Sequence, residues 1–472
     1  MIFSSFQFLF LFLPLILLFN YFLPIKSSNL FLLVVSVFFY FVGEGALTIV
    51  FISSIIWNYI IGILLGRKLN STIFRANFIL VLGVIGNLSV LLYFKYFEFI
   101  VESLQIHRLM DKNDYSAIAL PIGISFFTFQ GISYLIDVYR KDNKAEANPI
   151  KLGLFISFFP QLIAGPIVKY HEIANQLSNR NITLDKTIEG SYKFIRGLFK
   201  KVVIANNLAI IADHIFITEI NDIPSIIGWL AVLTYSLQIY FDFSGYSDMA
   251  IGLCLIFGFK IPENFNYPYI SKSFKEFWQR WHISLSSWFK NYLYIPLGGN
   301  QYGTLRTYLN LYIVFFITGL WHGASFNFII WGLFHGFFLI IERIFPAFFN
   351  KMPVFLKHTY LLLAVSVSWV FFRIESLEDA TNLIVRLFSF NQKGDFSVLL
   401  LLDNYKTILI LIAILLSIPL KNHIHHILSK WAFLTTNNNQ WIAKCLFYTL
   451  IFIFCILELS ITTHSPFIYF KF

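Results

Sequence analysis

Long apolar runs separated by short polar segments repeat along the whole chain. A helix needs about 20 apolar residues to cross the hydrocarbon core of a bilayer. Several runs are shorter than that, and the two longest are long enough to bend or to double back. The pattern predicts an all-α polytopic membrane protein with about ten to twelve membrane helices. The runs lie at about 7–24, 29–42, 46–66, 77–100, 117–138, 150–168, 202–217, 226–258, 307–342, 359–372, 407–420 and 441–463.

The composition supports the same fold class. Of the 472 residues, 57% are hydrophobic and only 13% are charged, whereas a soluble domain carries about 25% charged residues. No long polar linker interrupts the runs, so the sequence predicts a single integral membrane domain over 1–472. The first run lacks a basic segment and a small-residue cleavage site, and we expect it to stay attached as a membrane helix.

The net charge of +10 reflects basic residues that lie in short groups between the apolar runs. Such grouping is typical of the positive-inside rule and of contact with anionic lipid, and it argues against nucleic acid as a partner. With the N-terminus outside, the first two of these groups fall on the cytoplasmic side. The groups are Arg67, Lys68 and Arg75; Arg140, Lys141 and Lys144; and Lys193, Arg196, Lys200 and Lys201.

The run 150–168 has basic residues at both ends and contains Pro160, Gly165 and Pro166. Two interpretations stay open: a segment that enters and leaves on the cytoplasmic side, or a kinked helix. Irregular backbone at membrane depth is tolerated only where protein buries it or where it lines a cavity.

Residues 273–289 show a different pattern. At about 100° per residue, six aromatic or aliphatic side chains share one face, and polar side chains lie opposite. This predicts an amphipathic helix at the cytoplasmic surface. His282 lies at the edge of the apolar face, as either an interfacial anchor or a functional residue. The apolar positions are Phe274, Phe277, Trp278, Trp281, Leu285 and Trp288.

Two carboxylates, Asp242 and Asp248, lie inside the apolar run 226–258. One interpretation places both near an interface, paired with Lys or Arg. The other places Asp242 in a water-filled internal cavity, because a carboxylate that faces lipid is costly.

His322 lies in the nearly uncharged stretch 315–336, FFITGLWHGASFNFIIWGLFHG. An ionisable side chain at membrane depth is costly and therefore marks a candidate functional site. A neutral imidazole takes a proton from a hydroxyl and returns it to a leaving group near pH 7. Trp321 would form a wall beside the ring. We interpret His335, on the same stretch, as a structural histidine.

Signatures of other chemistry are missing from the sequence. GxSxG, P-loop, GxGxxG, HExxH and CxxC patterns do not occur. The HIHHI cluster at 423–427 lacks acidic partners, and Cys254, Cys445 and Cys455 show no metal or disulfide spacing. The residues therefore favour histidine-based proton transfer with no metal and no bound cofactor.

Six segments together resemble the membrane-bound O-acyltransferase family, and within it the alginate O-acetylation branch. Relatives of that branch include peptidoglycan O-acetyltransferases and the D-alanine transfer protein of teichoic acids. The resemblance spans most of the chain. The segments are PIGISFFTFQGISYLIDVYR at 121–140, FFPQLIAGPIV at 158–168, FKKVVIANNLA at 199–209, LQIYFDFSGYSDMAIG at 237–252, FKEFWQRWHISLSSWFKNYLYIPLGGN at 274–300 and GLWHGASFNFIIWGLFHG at 319–336.

The resemblance implies that His322, in the WHG motif, is the catalytic histidine and that His282, in the RWH motif, is the second histidine of the site. It also implies a ring of membrane helices around a thin centre, with a funnel from each face. Asn291 stands where the family usually has an aspartate. The candidate substrate-binding residues are Trp321, Gln238, Asp242, Ser244, Trp281 and Asn291.

The resulting hypothesis is an O-acyltransferase of the bacterial cytoplasmic membrane. It would move an acyl group, with acetyl favoured, from a cytoplasmic thioester to an extracytoplasmic hydroxyl. The donor co-substrate would be acetyl-CoA or an acyl carrier protein. The acceptor would be a polysaccharide of alginate or peptidoglycan type, or a periplasmic or extracellular partner protein that modifies it. The aromatic tail 464–472 is expected to dock on the protein or on that partner.

A transporter or flippase that moves an intact substrate is the alternative. Broken helices and an intramembrane Asp242 suit that class, whereas the sequence shows no inverted repeat.

Overall fold

The computed structural model describes residues 2–68, 73–106, 118–420 and 437–461. Within these ranges the regular structure is helical and contains no β-strand, which confirms the all-α prediction. The HIHHI cluster and the aromatic tail lie outside the described residues. Six helical stretches in the described part are long and apolar enough to cross a membrane: Ile25–Lys68, Phe74–Ser103, Ser225–Ile256, Phe326–Ile344, Val354–Arg373 and Asn439–Ile461. The polytopic class is therefore confirmed, and the count of ten to twelve crossings stays a prediction.

Most of the described connections between successive helices are short. Up to residue 199 they are α1 (Leu13–Tyr21), α2 (Ile25–Glu44), α3 (Thr48–Lys68), α4 (Ile73–Leu91), α5 (Phe97–Ser103), α6 (Ile124–Arg140), α7 (Pro149–Ser157), α8 (Phe159–Leu162), α9 (Tyr170–Ser178) and α10 (Leu184–Phe199). From residue 206 they are α11 (Asn206–Ile217), α12 (Ser225–Ile256), α13 (Phe274–Arg280), α14 (Ile283–Phe289), α15 (Gly303–His322), α16 (Phe326–Ile344), α17 (Pro346–Lys351), α18 (Val354–Arg373), α19 (Leu377–Phe388), α20 (Asn404–Leu416) and α21 (Asn437–Ile461). Segments of π-helix occur at Phe8–Phe12, Leu92–Tyr96, Lys200–Ala205 and Lys290–Tyr294.

The chain divides into two compact units. Unit 1 comprises Met1–Ser191, Met249–Glu263 and Lys290–Tyr292, and unit 2 comprises Tyr192–Asp248, Asn264–Phe289 and Leu293–Phe472. Each unit takes segments from separate parts of the sequence. The single domain over 1–472 stays a prediction.

In unit 1, α3 and α4 pack on α6 through small and paired polar residues. The side-chain amides of Asn58 and Asn87 exchange two hydrogen bonds, of 3.0 and 2.9 Å. Such pairing removes the cost of burying an amide between apolar helices. Tyr134 of α6 fits against Gly62 of α3, where a Cβ atom would lie only 2.6 Å from the ring.

The segment 150–168 is broken rather than kinked. Helix α7 has nine residues, which span about 14 Å and cannot cross a bilayer. Helix α8 has four residues, and irregular backbone follows it up to Lys169. Residues 152–162 are all buried, as irregular backbone at membrane depth requires. The interpretation as one kinked helix is therefore wrong, and the face from which the segment enters stays a prediction.

In unit 2, the two longest apolar runs behave differently. Helix α12 continues unbroken for 32 residues, whereas the run 307–342 folds back on itself as the pair α15 and α16. This pair packs closely, because the Cβ of a residue at Gly332 would lie 2.2 Å from the carbonyl oxygen of Phe315. Small residues allow such close approach of membrane helices.

Candidate active site

His322 ends a helix instead of lying within one. It is the last residue of α15, Gly323 follows in an extended conformation, and α16 begins at Phe326. The stretch 315–336 is therefore two helices, and the apolar run 307–342 doubles back, as its length allows. The break comes directly after the histidine, so the ring lies where the helical hairpin turns.

Three aromatic rings surround the imidazole of His322. Their centroids lie 4.9 Å away for Trp321, 4.8 Å for Trp331 and 5.2 Å for Phe372, all edge to face. His322 is only 2% exposed. These described ring neighbours do not form a polar opening, so the water-filled funnels at His322 stay a prediction.

His335 is a structural histidine, as the sequence suggested. Its Nδ1 atom accepts a hydrogen bond of 3.3 Å from Trp278, and its Nε2 atom lies 3.1 Å from the hydroxyl of Ser368. That hydroxyl donates to the carbonyl of Val365, so Nε2 of His335 is the donor to Ser368. Both ring nitrogens are therefore occupied, and neither is available for chemistry.

His282 lies at a break in the segment 273–289. Helix α13 ends at Arg280 and α14 begins at Ile283, so the prediction of one amphipathic helix is wrong. The backbone of His282 is left-handed, with φ of 43°, a conformation that non-glycine residues rarely adopt. The break turns the imidazole into the protein core, where it is fully buried. An interfacial anchor role does not fit this burial.

The apolar face of the same segment is buried in protein. Trp281 stacks on Phe277 with centroids 5.6 Å apart and contacts Trp369 at 5.0 Å. All six positions predicted to share the apolar face are buried. The periodicity thus identified the buried side chains correctly, although the helix does not run through.

Trp321 joins the two candidate catalytic histidines. Its ring centroid lies 5.9 Å from that of His282 and 4.9 Å from that of His322. Phe243, between Asp242 and Ser244 in sequence, packs edge to face on His282 at 4.6 Å. The WHG and RWH motifs, about 40 residues apart in sequence, therefore meet on one aromatic wall formed by Trp321.

Both aspartates of α12 form ion pairs. Asp242 contacts Lys201 at 2.5 Å, and Asp248 contacts Lys200 at 2.7 Å and Lys193 at 3.7 Å. The interpretation that they pair with lysine is confirmed, and their position relative to a membrane interface stays a prediction. Three of the four basic residues at 193–201 therefore neutralise aspartates, and lipid contact by this group stays a prediction.

Two further candidates on α12 are buried and polar. Neither Oε1 of Gln238 nor Oγ of Ser244 receives or makes a hydrogen bond with any described residue. Other buried residues that the sequence reasoning missed share this property, among them Asn206, for both amide atoms, and Trp331, for its indole N–H. Buried polar atoms normally have partners, so each of these atoms retains the capacity to hydrogen-bond a bound polar group.

Asn291 lies in unit 1. It is half-buried, and its carbonyl oxygen accepts a hydrogen bond of 3.1 Å from Arg140. Next to it, Tyr292 donates to the buried carboxylate of Asp137 at 2.7 Å. His171 contacts the other oxygen of Asp137 at 3.0 Å. No local sequence pattern marks this cluster, because its members come from three separate segments.

Possible metal ligands do not cluster in the ranges described. No group of three or more His, Cys, Asp or Glu residues there has the arrangement that a metal ion requires. Cys254, Cys445 and Cys455 are free thiols.

Sequence comparisons identify the family. The profile of the MBOAT, or membrane-bound O-acyltransferase, family matches residues 143–378. A probable alginate O-acetylase AlgI of Pseudomonas putida is 46% identical over 398 residues, which cover 83% of this chain and 81% of that protein. A peptidoglycan O-acetyltransferase of Helicobacter pylori is 38% identical over 429 residues, covering 83% and 80%. A teichoic acid D-alanyltransferase of Bacillus subtilis is 31% identical over 242 residues, covering 49% and 60%.

These matches include both histidine motifs, since His282 and His322 lie inside the region that the family profile covers. They give no support to the alternative of a transporter without acyl chemistry. The chain is a multi-pass membrane O-acyltransferase and belongs to the membrane-bound O-acyltransferase family.

Proposed function

We propose that this protein transfers an acetyl group from a cytoplasmic thioester to a hydroxyl on the outer side of the bacterial cytoplasmic membrane. The observation that carries the proposal is the placement of His322, buried at the turn between α15 and α16 and joined to His282 through Trp321. The names of the relatives, which acetylate alginate or peptidoglycan, support acetyl as the group and a polysaccharide as the final acceptor.

His322 acts as the general base. It takes the proton of the attacking hydroxyl while the hydroxyl oxygen forms a bond to the thioester carbonyl carbon. The tetrahedral oxyanion then collapses, the C–S bond breaks, and the imidazolium of His322 returns the proton to the thiolate. General base catalysis of this kind contributes about 10²–10⁴-fold to the rate.

Trp331 supplies the hydrogen-bond donor for the oxyanion. Its indole ring lies 4.8 Å from the imidazole of His322, and its N–H has no acceptor among the described residues. A preorganised donor in a buried site stabilises developing negative charge without solvent reorganisation. An indole N–H is suited to this role because it can only donate.

The test replaces His322 by Ala in the full-length protein, in cells that lack the native chain. Acetyl content of the exported and cell-wall glycans is measured alongside protein level and membrane insertion. We expect a folded, inserted variant that adds no acetyl groups. His214→Ala, which alters an exposed histidine, serves as the control and keeps wild-type acetylation. Retained acetylation by the His322 variant would reject the assignment.

The hydroxyl that attacks the thioester belongs to a partner protein in our preferred version. A serine of a periplasmic or extracellular partner takes the acetyl group and then passes it to the glycan. The support is the short length of the connections between helices, which leaves no folded extracytoplasmic domain in the described chain to hold a polymer. Radiolabelled acetyl trapped on a co-purified protein supports the relay. Labelling of glycan by the purified chain alone, with acetyl-CoA, contradicts it.

A further inference from the structure

The side chain of Asn264 has a defined orientation. Its Oδ1 atom lies 3.2 Å from the backbone nitrogen of Ser284 and 2.9 Å from the Ser284 hydroxyl, and its Nδ2 atom donates to Ser247 at 3.1 Å. A backbone N–H can only donate, so the Asn264 atom that faces it is the carbonyl oxygen and not the amide nitrogen.

The same oxygen decides which nitrogen of His282 carries the proton. The Nδ1 atom of His282 lies 3.1 Å from Oδ1 of Asn264. Because that oxygen is an acceptor, Nδ1 must be the donor, and the neutral ring then carries a lone pair on Nε2. Nε2 is buried, and no described residue offers it a hydrogen bond.

The loop that contains Asn264 also forms backbone hydrogen bonds with the residues on either side of the break between α13 and α14. The carbonyl of Asn264 accepts from the N–H of Ile283 at 3.0 Å, and the N–H of Asn266 donates to the carbonyl of Arg280 at 2.9 Å. These bonds flank the left-handed His282. Strained backbone persists where its surroundings fix it, and such sites are frequently functional.

On the basis of the acyl transfer proposed above, we propose that Asn264 is a positioning residue that makes His282 a hydrogen-bond acceptor for a substrate. The group recognised at Nε2 is an N–H or O–H donor, either an amide of the thioester arm or the attacking hydroxyl. A neutral ring in this tautomer cannot donate to an oxyanion from Nε2. The two histidines therefore have different tasks: proton transfer by His322 and substrate orientation by His282.

The side chains around His282 determine which charges affect its protonation. Helix α12 contributes Phe243 and Ser247, the loop contributes Asn264, α14 contributes Ser284, and α15 contributes Trp321. Titratable groups that adjoin this layer include His322, whose ring contacts Trp321, and Asp242, which precedes Phe243 in the sequence and pairs with Lys201. A carboxylate introduced at position 264 would be the charge in direct contact with the ring.

Asn264→Asp is the decisive variant. The carboxylate accepts the same hydrogen bonds but stabilises the imidazolium form of His282, and Nε2 then becomes a donor. We expect transfer from acetyl-CoA by the full-length protein to fall about tenfold to a hundredfold at neutral pH, the effect of one lost buried hydrogen bond. The acid limb of the pH–rate profile moves to higher pH, and activity recovers as the pH rises. Asn264→Ala loses activity at every pH.

The kinetic parameters identify the substrate group. A rise in KM for acetyl-CoA in the Asn264 variants assigns the amide of the thioester arm, and a fall in kcat at unchanged KM assigns the attacking hydroxyl. His282→Gln retains partial activity, because its Oε1 can accept at the position of Nε2, whereas His282→Leu does not.

Asn87→Ala is the matched control. It also removes a buried asparagine amide, one that pairs with Asn58 in unit 1, and it leaves the rate per folded molecule and the pH profile unchanged. Melting temperature in detergent identifies any variant that has not folded. Wild-type or higher activity of Asn264→Asp at pH 7 overturns the acceptor role and leaves acyl transfer standing. Absence of acetyl transfer in membranes of cells that contain the wild-type protein together with its acceptor overturns both.

Discussion

The Nζ atom of Lys201 lies 2.5 Å from Oδ1 of Asp242, and both side chains are almost completely buried. Lys201 belongs to the π-helical segment Lys200–Ala205, and Asp242 lies near the middle of α12. Isolated charges at such depth are strongly unfavourable, and each of these neutralises the other. The pair therefore fixes the π-helical segment against α12 in unit 2.

Removal of one partner should destabilise the protein more than removal of both. Lys201→Met leaves an uncompensated carboxylate, and we expect the free energy of unfolding to fall by about 3–5 kcal/mol. The double variant Lys201→Met with Asp242→Leu recovers most of that loss, because no buried charge remains. Thermal unfolding of the purified protein in detergent measures both. A single variant as stable as the wild type would contradict the structural role.

The double variant also separates stability from function. If the only role of Asp242 is to neutralise Lys201, the stable double variant keeps acetyl transfer. Loss of transfer in that stable protein would assign Asp242 a contact with substrate, as predicted from the sequence.

Trp331→Phe should lower kcat while the fold is kept. The phenyl ring preserves the edge-to-face contact with His322 but removes the indole N–H proposed to stabilise the oxyanion. We expect kcat to fall by about 10²–10³-fold, the usual effect of losing such a donor, with little change in KM. Acetyl-CoA turnover by the full-length protein gives both constants.

Trp229→Phe is the matched control for this change. It removes an indole N–H that donates to the carbonyl of Leu387 at 3.0 Å, outside the cluster around His322. Its kcat should stay at the wild-type value. An unchanged kcat in Trp331→Phe would exclude the indole as the oxyanion donor.

Local patterns in the sequence predicted much of this site. Periodicity identified the buried face of 273–289 even though the segment breaks, because each of the two short helices keeps the same face inward. Trp321 had to lie near His322 because the two are adjacent. The structural role of His335 was also accessible, since a histidine on an aromatic face is most often satisfied by its neighbours.

Contacts between residues that are far apart in the sequence could not be predicted from local patterns. Hydropathy counts Lys201 and Asp242 as two separate charges, and nothing in their spacing shows that one neutralises the other. Asn264 lies in a loop without periodicity, and its importance follows only from the orientation that Ser284 gives it. The left-handed conformation at His282 could not be predicted from the residue type, because glycine is the usual signal for such a conformation. Such features depend on tertiary contacts that local periodicity does not encode.

Asp403 should make the start of α20 sensitive to acid. Its carboxylate caps the helix by accepting from the backbone N–H of Lys406 at 2.7 Å, and this bond, with the nearby Lys406 ammonium, lowers the pKa of Asp403. Because the folded pKa lies below the unfolded value, about 3.9, the cap stabilises the helix above that value. The stabilisation is lost as the pH falls through the folded pKa.

Hydrogen exchange at the first turn of α20 measures this cap. At pH 7 the wild-type amides should exchange more slowly than those of Asp403→Ala, and the difference should disappear in acid. Asp403→Asn keeps a capping oxygen and should show no such dependence on pH. A wild-type advantage that persists well below the folded pKa of Asp403 would contradict the role of the ionised carboxylate.

The close approach of α15 and α16 should make Gly332 intolerant of a methyl group. A Cβ atom at this position would lie 2.2 Å from the carbonyl oxygen of Phe315 and 3.0 Å from the Cα of Gly319. These neighbours are backbone atoms that cannot rotate away, so the two helices must separate. We expect Gly332→Ala to lower the free energy of unfolding by about 1–3 kcal/mol. It should also abolish most transfer, because His322 is the last residue of the displaced α15.

Gly43→Ala provides the comparison, since a Cβ there meets nothing within 4 Å and alanine favours the helix by about 0.5–1 kcal/mol. Melting temperature and acetyl transfer are measured for both variants in detergent. Suppose that Gly332→Ala were stable but inactive. That result would show that a change in the α15–α16 contact too small to affect stability is enough to displace His322. A stable and active Gly332→Ala would mean that the hairpin does not require this contact and that close packing does not position His322.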